Sequence, residues 1–140
     1  MSRTKKPKKL GKDKTLVQWL VPMLRNISRM WPMKGVAQAN ARIRVESGEF
    51  YKNGNPIMVT KYKCAHCGNL FEKHEVDVDH ITAIVDLDGF TDWDDYINRL
   101  FCPPDQLQIL CKKDHTEKTR KENEQRRKLK QKKRSENEIY

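Results

Sequence analysis

Two cysteines three positions apart, Cys64 and Cys67, constrain the fold of this chain more than any other feature. Charged residues make up 34% of its 140 positions and hydrophobic residues only 36%, so the sequence cannot build a large core. A core that small usually needs a disulfide or a bound metal. The first fourteen residues are basic and contain no apolar stretch of the kind found in export signals. In such a chain a C-x-x-C pair favours metal over disulfide, and the sequence therefore predicts a small cytoplasmic protein with a metal site.

The net charge of +10 is distributed unevenly along the chain. Residues 1–14 carry seven Lys or Arg against one Asp, and residues 116–140 carry ten against five Glu. Residues 72–95 hold nine acids and a single Lys. Basic ends of this kind are typical of chains that contact nucleic acid. No apolar run reaches the roughly 18 residues that indicate a membrane span. We therefore expect a nucleic-acid partner and no membrane association.

Helical and extended patterns alternate along the chain, which predicts the α+β class. The expected elements are, in order, a helix over 15–31 that kinks or restarts at Pro22, a helix over 34–46, a turn over 52–56 between short extended segments, a strand over 75–81, a helix over 91–101 capped by Thr91, a strand over 106–110, and a helix from 113 onward. The aspartates between positions 86 and 95 are interpreted as helix-capping and solvated residues rather than as a cation site.

Four short motifs with chemically active residues follow one another between positions 64 and 119. They read CAHC at 64–67, VDVDHI at 76–81, DQLQILC at 105–111 and KKDHTEKT at 112–119. Each motif alone occurs in many proteins. Their order and spacing together resemble the HNH endonuclease family over about residues 61–121. The flanking segments, RNISRMWP at 25–32 and GFTDWDDYINRLFCPP at 89–104, are similar to those of small HNH proteins of tailed bacteriophages.

The resemblance implies a zinc-stapled ββα-metal finger, which is treble-clef-like, over residues 61–125. A helical and turn segment over 15–60 would precede it, and basic mobile tails would lie at 1–14 and 126–140. The family usually holds its structural Zn²⁺ with four cysteines, and this chain has Asp114 where the fourth would stand. Zinc accepts carboxylate oxygen at a distance close to that of histidine nitrogen. The implied zinc ligands are Cys64, Cys67, Cys111 and Asp114. The alternative fourth ligands are His66, His74, Cys102 and His115.

By the same resemblance, His80 is the general base, and Asp79 and His115 hold a catalytic divalent ion, most simply Mg²⁺ or Mn²⁺. An imidazole titrates near neutral pH and can deprotonate water. The divalent ion stabilises charge on the phosphate and on the leaving oxygen. The family's middle Asn, which braces the catalytic His, falls on Gln106 here, with Asn98 as the alternative brace. Neighbours on a strand point to opposite faces, so Asp79 and His80 share a site only if the strand ends or turns there.

The function implied by the resemblance is metal-dependent hydrolysis of phosphodiester bonds in double-stranded DNA, by nicking or by cutting both strands, with low sequence specificity. The start of the final helix favours phosphate, and its basic residues are the expected backbone contacts. These residues are Lys112, Lys113, Lys118 and Arg120. The alternative is a catalytically inert zinc-finger DNA-binding protein, and Gln106 keeps that alternative open. Some HNH proteins of tailed phages act beside the packaging enzyme, so a terminase is a further expected partner. The sequence leaves the oligomeric state open.

Overall fold

The computed structural model describes residues 15–138 and contains four helices and five strands in that range. They are α1 (Leu16–Ile27), α2 (Pro32–Asn40), β1 (Arg42–Phe50), β2 (Pro56–Lys63), β3 (Leu70–Phe71), β4 (Val76–His80), α3 (Trp93–Leu100), β5 (Leu107–Cys111) and α4 (Lys112–Asn137). Short 3-10 turns lie at Ser28–Met30, Lys73–Glu75 and Pro104–Gln106. The predicted α+β class is confirmed. The mobile basic tail expected at 1–14 lies outside the described residues.

Strands β4 and β5 form an antiparallel pair whose register runs from Val76 opposite Cys111 to His80 opposite Leu107. Side chains alternate between the two faces of such a pair. One face packs against α2 and β2, and the other contacts α4, which follows β5 without a break. The buried side chains on and against the first face are Ala37, Tyr62, Val76, Leu107 and Ile109. The apolar core is therefore small and divided, because Leu110 on the other face forms a separate buried cluster with Cys64 and Cys111.

The second predicted helix is wrong beyond Asn40. Residues Arg42–Phe50 form β1 instead, and β1 pairs antiparallel with β2 in a three-stranded sheet ordered β1-β2-β3. Ile43 and Val45 are β-branched and alternate with charged residues, which suits a strand. Val45 also lies directly opposite Val59, and such cross-strand pairs stabilise the sheet beyond any local preference. The turn predicted over 52–56 is confirmed between these two strands.

Helix α1 begins with a capping box. The Thr15 hydroxyl accepts from the Gln18 main-chain N–H at 3.3 Å, and the Gln18 side-chain oxygen accepts from the Thr15 N–H at 3.2 Å. The helix continues through Pro22 and ends at Ile27, where the 3-10 turn begins. None of its twelve residues is buried. The apolar periodicity therefore predicts the helix correctly, but it does not show whether the apolar residues of the helix are buried.

The later helices correct two further expectations. Asp92 rather than Thr91 caps α3, because its extended backbone lets its carboxylate accept from the Asp95 N–H at 2.8 Å. Residues 126–137, expected to form a mobile tail, are the continuous second half of α4. Ion pairs four residues apart, such as Lys128 with Glu124 at 3.1 Å, support this highly charged helix.

Within residues 15–138, no helix combines the length and apolarity required to cross a membrane.

Candidate functional site

Four side chains with metal-binding atoms converge where β2 has ended and α4 begins. They are Cys64, Cys67, Cys111 and Asp114, and their ligand atoms all lie within 4.8 Å of one another. Asp114 Oδ2 is 3.2 Å from both Cys64 Sγ and Cys111 Sγ. Ligand atoms around one tetrahedral zinc are about 3.5–3.8 Å apart. The predicted ligand set is therefore brought together in an arrangement that can hold a metal ion.

The backbone positions these ligands through short contacts. The Ala65 N–H donates to the Ile109 carbonyl at 2.8 Å, which ties the cysteine turn to β5. The Gly68 N–H donates to the Cys64 carbonyl at 3.0 Å, and a φ of +72° at Gly68 closes the turn in a conformation that favours glycine. Cys111 ends β5 and Asp114 is the third residue of α4, so a single strand-to-helix junction supplies two ligands.

Burial and hydrogen bonding shift the pKa values of the groups in this cluster. Burial raises the pKa of the Cys111 thiol to about 11, and the neighbouring Asp114 and Cys64 add to the rise. Burial also acts to raise the pKa of Cys64, but main-chain N–H groups around its sulfur outweigh that effect and leave the pKa lowered. Hydrogen bonds from the Cys111 and Cys64 thiols lower the pKa of Asp114. A bound cation would favour the thiolate forms of these cysteines.

None of the alternative fourth ligands belongs to the four-residue set. Cys102 is buried in a separate cluster with Ala37 and Leu107. His74 is exposed and lies 3.4 Å from Glu72. His66 is exposed in the cysteine turn and does not belong to the four-residue set. His115 is engaged by the aspartates of β4, as described next.

A second polar cluster lies on the face of β4 and β5 that contacts α4. Asp79 Oδ1 is 3.7 Å from His115 Nε2, so the structure brings together the two residues predicted to hold a catalytic ion. The other carboxylate oxygen, Asp79 Oδ2, accepts from the Gln108 side-chain amide at 2.9 Å and from Lys118 Nζ at 2.5 Å. His115 Nδ1 is 3.0 Å from Asp77 Oδ2. The Asp79 side chain is only 13% exposed, and these partners offset the cost of burying its charge.

Sequence reasoning missed two members of this cluster. Asp77 stands two residues before Asp79, and strand alternation places both on the face toward α4. The spacing of the two aspartates could therefore have predicted that Asp77 belongs to this cluster. Gln108 lies directly opposite Asp79 in the β4–β5 register, which no single-sequence pattern reveals. Lys118, predicted as a phosphate contact, instead contacts the Asp79 carboxylate.

His80 directs its side chain away from Asp79, as alternation along the strand requires. Its Nε2 lies 3.0 Å from the main-chain oxygen of Leu100, at the end of α3. A carbonyl only accepts, so in the neutral ring Nε2 carries the proton and Nδ1 keeps its lone pair. Burial lowers the pKa of His80, the Leu100 carbonyl partly offsets this, and the charge of Lys34 lowers the pKa further. The ring is therefore neutral near pH 7.

The end of β4 lies between the Asp79 cluster on one face and the His80 ring on the other. The strand stops at His80, one residue before its predicted end, and the His80 carbonyl accepts from Lys118 Nζ at 2.6 Å. The main chain of His80 thus borders the Asp79 cluster although its ring faces α3. Gln106 and Asn98, the two predicted braces, line the same cleft as the His80 ring. The ring itself is held by Leu100, and the Gln106 carbonyl accepts from the Ile81 N–H at 3.0 Å.

The predicted phosphate contacts fall into different environments. Lys112 and Lys113 are exposed at the start of α4. Arg120 is paired along the helix with Glu117 at 2.8 Å and with Glu124 at 3.3 Å. Among the described residues, Lys112 and Lys113 form no ion pair, whereas Lys118 and Arg120 do.

The acidic insert between β4 and α3 has a structural explanation. Arg99 contacts Asp86 at 2.7 Å and Asp95 at 2.8 Å, and Asp92 caps α3. These contacts agree with the interpretation of the insert aspartates as capping and surface residues.

In comparisons with known proteins, no family model, curated protein or solved structure matches the chain. The class of the protein is therefore described from its own fold and site. The chain is an α+β protein with a Cys₃Asp cluster able to hold a metal ion.

Proposed function

We propose that the chain is a metal-dependent endonuclease of the HNH kind that hydrolyses phosphodiester bonds in double-stranded DNA. The observation that carries the proposal is that Asp79 and His115 meet on one face of an antiparallel strand pair followed directly by a helix, with the His80 ring at the end of the same strand on its other face. Asp79 and His115 approach each other to 3.7 Å. The His80 ring keeps one nitrogen free to accept a proton because Leu100 engages the other.

Zn²⁺ is the metal we assign to the Cys64, Cys67, Cys111 and Asp114 cluster. Three cysteines with one histidine are a typical structural zinc set, and zinc also accepts carboxylate oxygen at a similar distance. The ion would join the turn after β2 to the junction of β5 and α4, and so stabilise a fold with a small apolar core. Binding free energy at such a site is folding free energy, because the unfolded chain offers no assembled site.

The cluster around Asp79 fits a second, catalytic divalent ion. Asp79 offers a hard oxygen and His115 an imidazole nitrogen, and donor atoms 3.7 Å apart are close enough to share one ion. Asp77 lies beside His115 Nδ1 and favours the proton on that nitrogen, which leaves the Nε2 lone pair directed toward Asp79. A bound Mg²⁺ or Mn²⁺ supplies stabilisation of charge on the phosphate and on the leaving 3′ oxygen.

His80 acts as the general base in this proposal. Its Nδ1 takes a proton from a water molecule, whose oxygen attacks phosphorus as the bond from phosphorus to the 3′ oxygen breaks. The Leu100 carbonyl holds the ring, and a lowered pKa keeps it neutral and able to accept a proton near pH 7. Lys112 and Lys113, together with the N-terminus of α4, bind the DNA backbone.

A second candidate function is DNA binding without catalysis, including an accessory role beside a phage packaging enzyme. The position of Lys118 favours it. The ammonium contacts Asp79 Oδ2 at 2.5 Å and the His80 carbonyl at 2.6 Å, and so already supplies positive charge to the carboxylate that a catalytic ion would need. Gln106, which stands where the HNH family has Asn, also favours DNA binding without catalysis.

Nicking of supercoiled plasmid by the zinc-loaded full chain tests the proposal. We expect relaxed or linear plasmid in the presence of Mg²⁺ or Mn²⁺, and no product when a chelator is added. His74→Ala is the matched control for His80→Ala, because the His74 side chain is 75% exposed and lies outside the Asp79 cluster. Intact plasmid with every divalent ion, despite DNA binding, would favour the second candidate.

A further inference from the structure

Helix α1 has a broad apolar face and a polar side formed by Gln18, Arg25 and Asn26, yet the rest of the described chain buries none of its residues. Eight of its twelve residues are Leu, Val, Ile, Met or Trp, and a single one, Arg25, is charged. The Tyr96 hydroxyl donates to the Val21 carbonyl at 3.4 Å and connects α1 to α3. The apolar face of an amphipathic helix normally packs against a core or a partner. The part of the apolar face that remains exposed is therefore a candidate contact surface for a partner outside the described chain.

The exposed apolar side chains form one stripe along α1 and the 3-10 turn that follows it. This α1 seam comprises Leu16, Trp19, Met23, Ile27 and Met30, which are 64, 52, 47, 52 and 78% exposed. Successive members are three, four, four and three residues apart, the spacing of side chains that share one face of a helix. Leu20 and Leu24 lie beside the seam and are partly buried by the protein.

The spacing of the seam is symmetric about Met23. Leu16 and Met30 each lie seven residues from it, and Trp19 and Ile27 each lie four residues from it. In an antiparallel pair of α1 helices with Met23 opposite Met23, Trp19 of each copy meets Ile27 of the other. Leu16 of each copy then meets Met30 of the other. A two-fold interface uses the same patch on both subunits and requires this self-complementarity.

We propose that the chain forms a two-fold dimer through antiparallel packing of its α1 seams. The dimer does not depend on the proposed nuclease activity, and its test is separate from the test of that activity. Two copies of the β4, β5 and α4 cluster would then belong to one particle.

When fully covered, the seam reaches the lower limit of area for a specific interface. Large apolar side chains present roughly 150–250 Å² when free, so at the observed exposures the seam offers about 500 Å² per copy. Two copies would bury about 1,000 Å², the lower limit for a specific interface. Trp and Met are also enriched in such interfaces. Arg25 lies on the opposite side of α1 from Leu16, so like charges do not meet across the seam.

Other occupants fit the seam less well. Residues 1–14 contain seven cations and, as large apolar residues, only Met1 and Leu10, so they offer little to cover it. Helices that lie in a membrane surface carry several Lys or Arg on their polar side, whereas α1 carries Arg25 alone. DNA presents phosphates and sugar edges rather than an apolar groove of matching length.

Sedimentation equilibrium of the zinc-loaded full chain, over a wide range of micromolar concentrations, tests the dimer. Met23→Glu places a charge in the seam, and we expect a monomer. Gln18→Glu adds the same charge outside the seam, retains the capping box because Glu also serves there, and should leave the dimer intact. Trp19→Ala is a milder variant, and we expect it to raise the dimer dissociation constant roughly 20-fold or more.

Circular dichroism and zinc content identify variants that fail to fold, and Trp19→Ala decides the outcome if Met23→Glu is one of them. A wild-type chain that remains monomeric at the highest concentration overturns the proposal. A dimer that survives both seam variants also overturns it, because the interface must then lie elsewhere. A monomer that binds phosphatidylserine-containing vesicles through Trp19 and Met23 overturns it in favour of a membrane surface.

Discussion

His115 Nδ1 lies 3.0 Å from Asp77 Oδ2, while its other ring nitrogen faces Asp79 Oδ1 at 3.7 Å. Two aspartates on one face of β4 thus hold a single imidazole of α4 between them. A carboxylate beside one nitrogen of a metal-binding histidine determines which nitrogen is protonated and how the ring is oriented. In the proposed site, Asp77 would determine whether His115 offers Nε2 to an ion shared with Asp79.

We expect Asp77→Ala to weaken Mn²⁺ binding and DNA nicking by roughly 10- to 100-fold, the range found when such supporting carboxylates are removed. Zinc content should not change, because Asp77 is not in the Cys₃Asp cluster. Asp88→Ala is the matched control, since that side chain is 74% exposed and has a surface ion pair with Lys133 at 3.6 Å. Electron paramagnetic resonance titration with Mn²⁺ measures the difference. Equal Mn²⁺ affinities for the two variants would contradict this role of Asp77.

Metal analysis should find about one tightly held zinc per chain, and Cys67→Ser should lose it. The finger should then unfold, because zinc binding contributes directly to folding. Cys102→Ser should retain zinc and the fold, since Cys102 belongs to the apolar cluster with Ala37 and Leu107. Thermal melting followed by circular dichroism compares the two. A Cys67→Ser chain that melts like wild type would show that the cysteine turn is not a zinc site.

His80→Ala should retain fold, zinc and DNA binding while losing nicking activity by roughly 100-fold or more, the contribution of a general base. Additional Mn²⁺ should not restore the activity, because a metal does not replace the missing proton acceptor. His115→Ala should respond differently, with partial rescue by additional Mn²⁺, since the lost group is a ligand. Nicking rates against Mn²⁺ concentration separate these outcomes. An His80→Ala enzyme as fast as wild type would make the assignment of His80 wrong.

Gln106→Asn should retain or raise nicking activity, because it restores the amide length of the HNH pattern beside the His80 cleft. Gln106→Ala should lower it if the side-chain amide braces that cleft. The comparison also tests the alternative function. A wild-type chain that never nicks DNA, together with a Gln106→Asn chain that does, would support DNA binding without catalysis.

Lys112→Ala and Lys113→Ala should each weaken DNA binding similarly for all sequences and reduce the slope of log affinity against log salt by about one. Arg120→Ala should have a smaller effect, because Glu117 and Glu124 already engage its guanidinium. Fluorescence anisotropy with duplexes of unrelated sequence, at several salt concentrations, measures both quantities. A sequence-dependent loss for either lysine variant would indicate base recognition instead of backbone contact.

Local spacing explains each half of the candidate metal-binding cluster, but the joining of the two halves was expected only from the resemblance to the HNH family. Cys64 and Cys67 share one tight turn, and Asp114 follows Cys111 by three residues across a strand-to-helix junction. The α3 cap was displaced by one residue because adjacent Thr91 and Asp92 are both good caps, and the backbone at Asp92 has the extended conformation. Local sequence cannot rank two such neighbours.

The strand at residues 42–50 was not predictable from its own residues. Its segment contains both helix-favouring and β-branched residues, and the choice depends on β2, whose Val59 lies opposite Val45. The same limit applies to α1: periodicity indicated a helix, but only the packed structure showed that the stripe from Leu16 to Met30 stays exposed.

The sequence by itself determined which residue types were available for chemistry and which of them alternate onto a common face, such as Asp77 and Asp79. Those properties depend on neighbours within a few positions along the chain. Only the tertiary structure decided that Gln108 opposes Asp79 and that Leu100 engages the His80 ring. Strand register and the docking of α3 join residues 20 or more positions apart. Their pairing follows from the free energy of packing the whole fold, which no short segment of sequence contains.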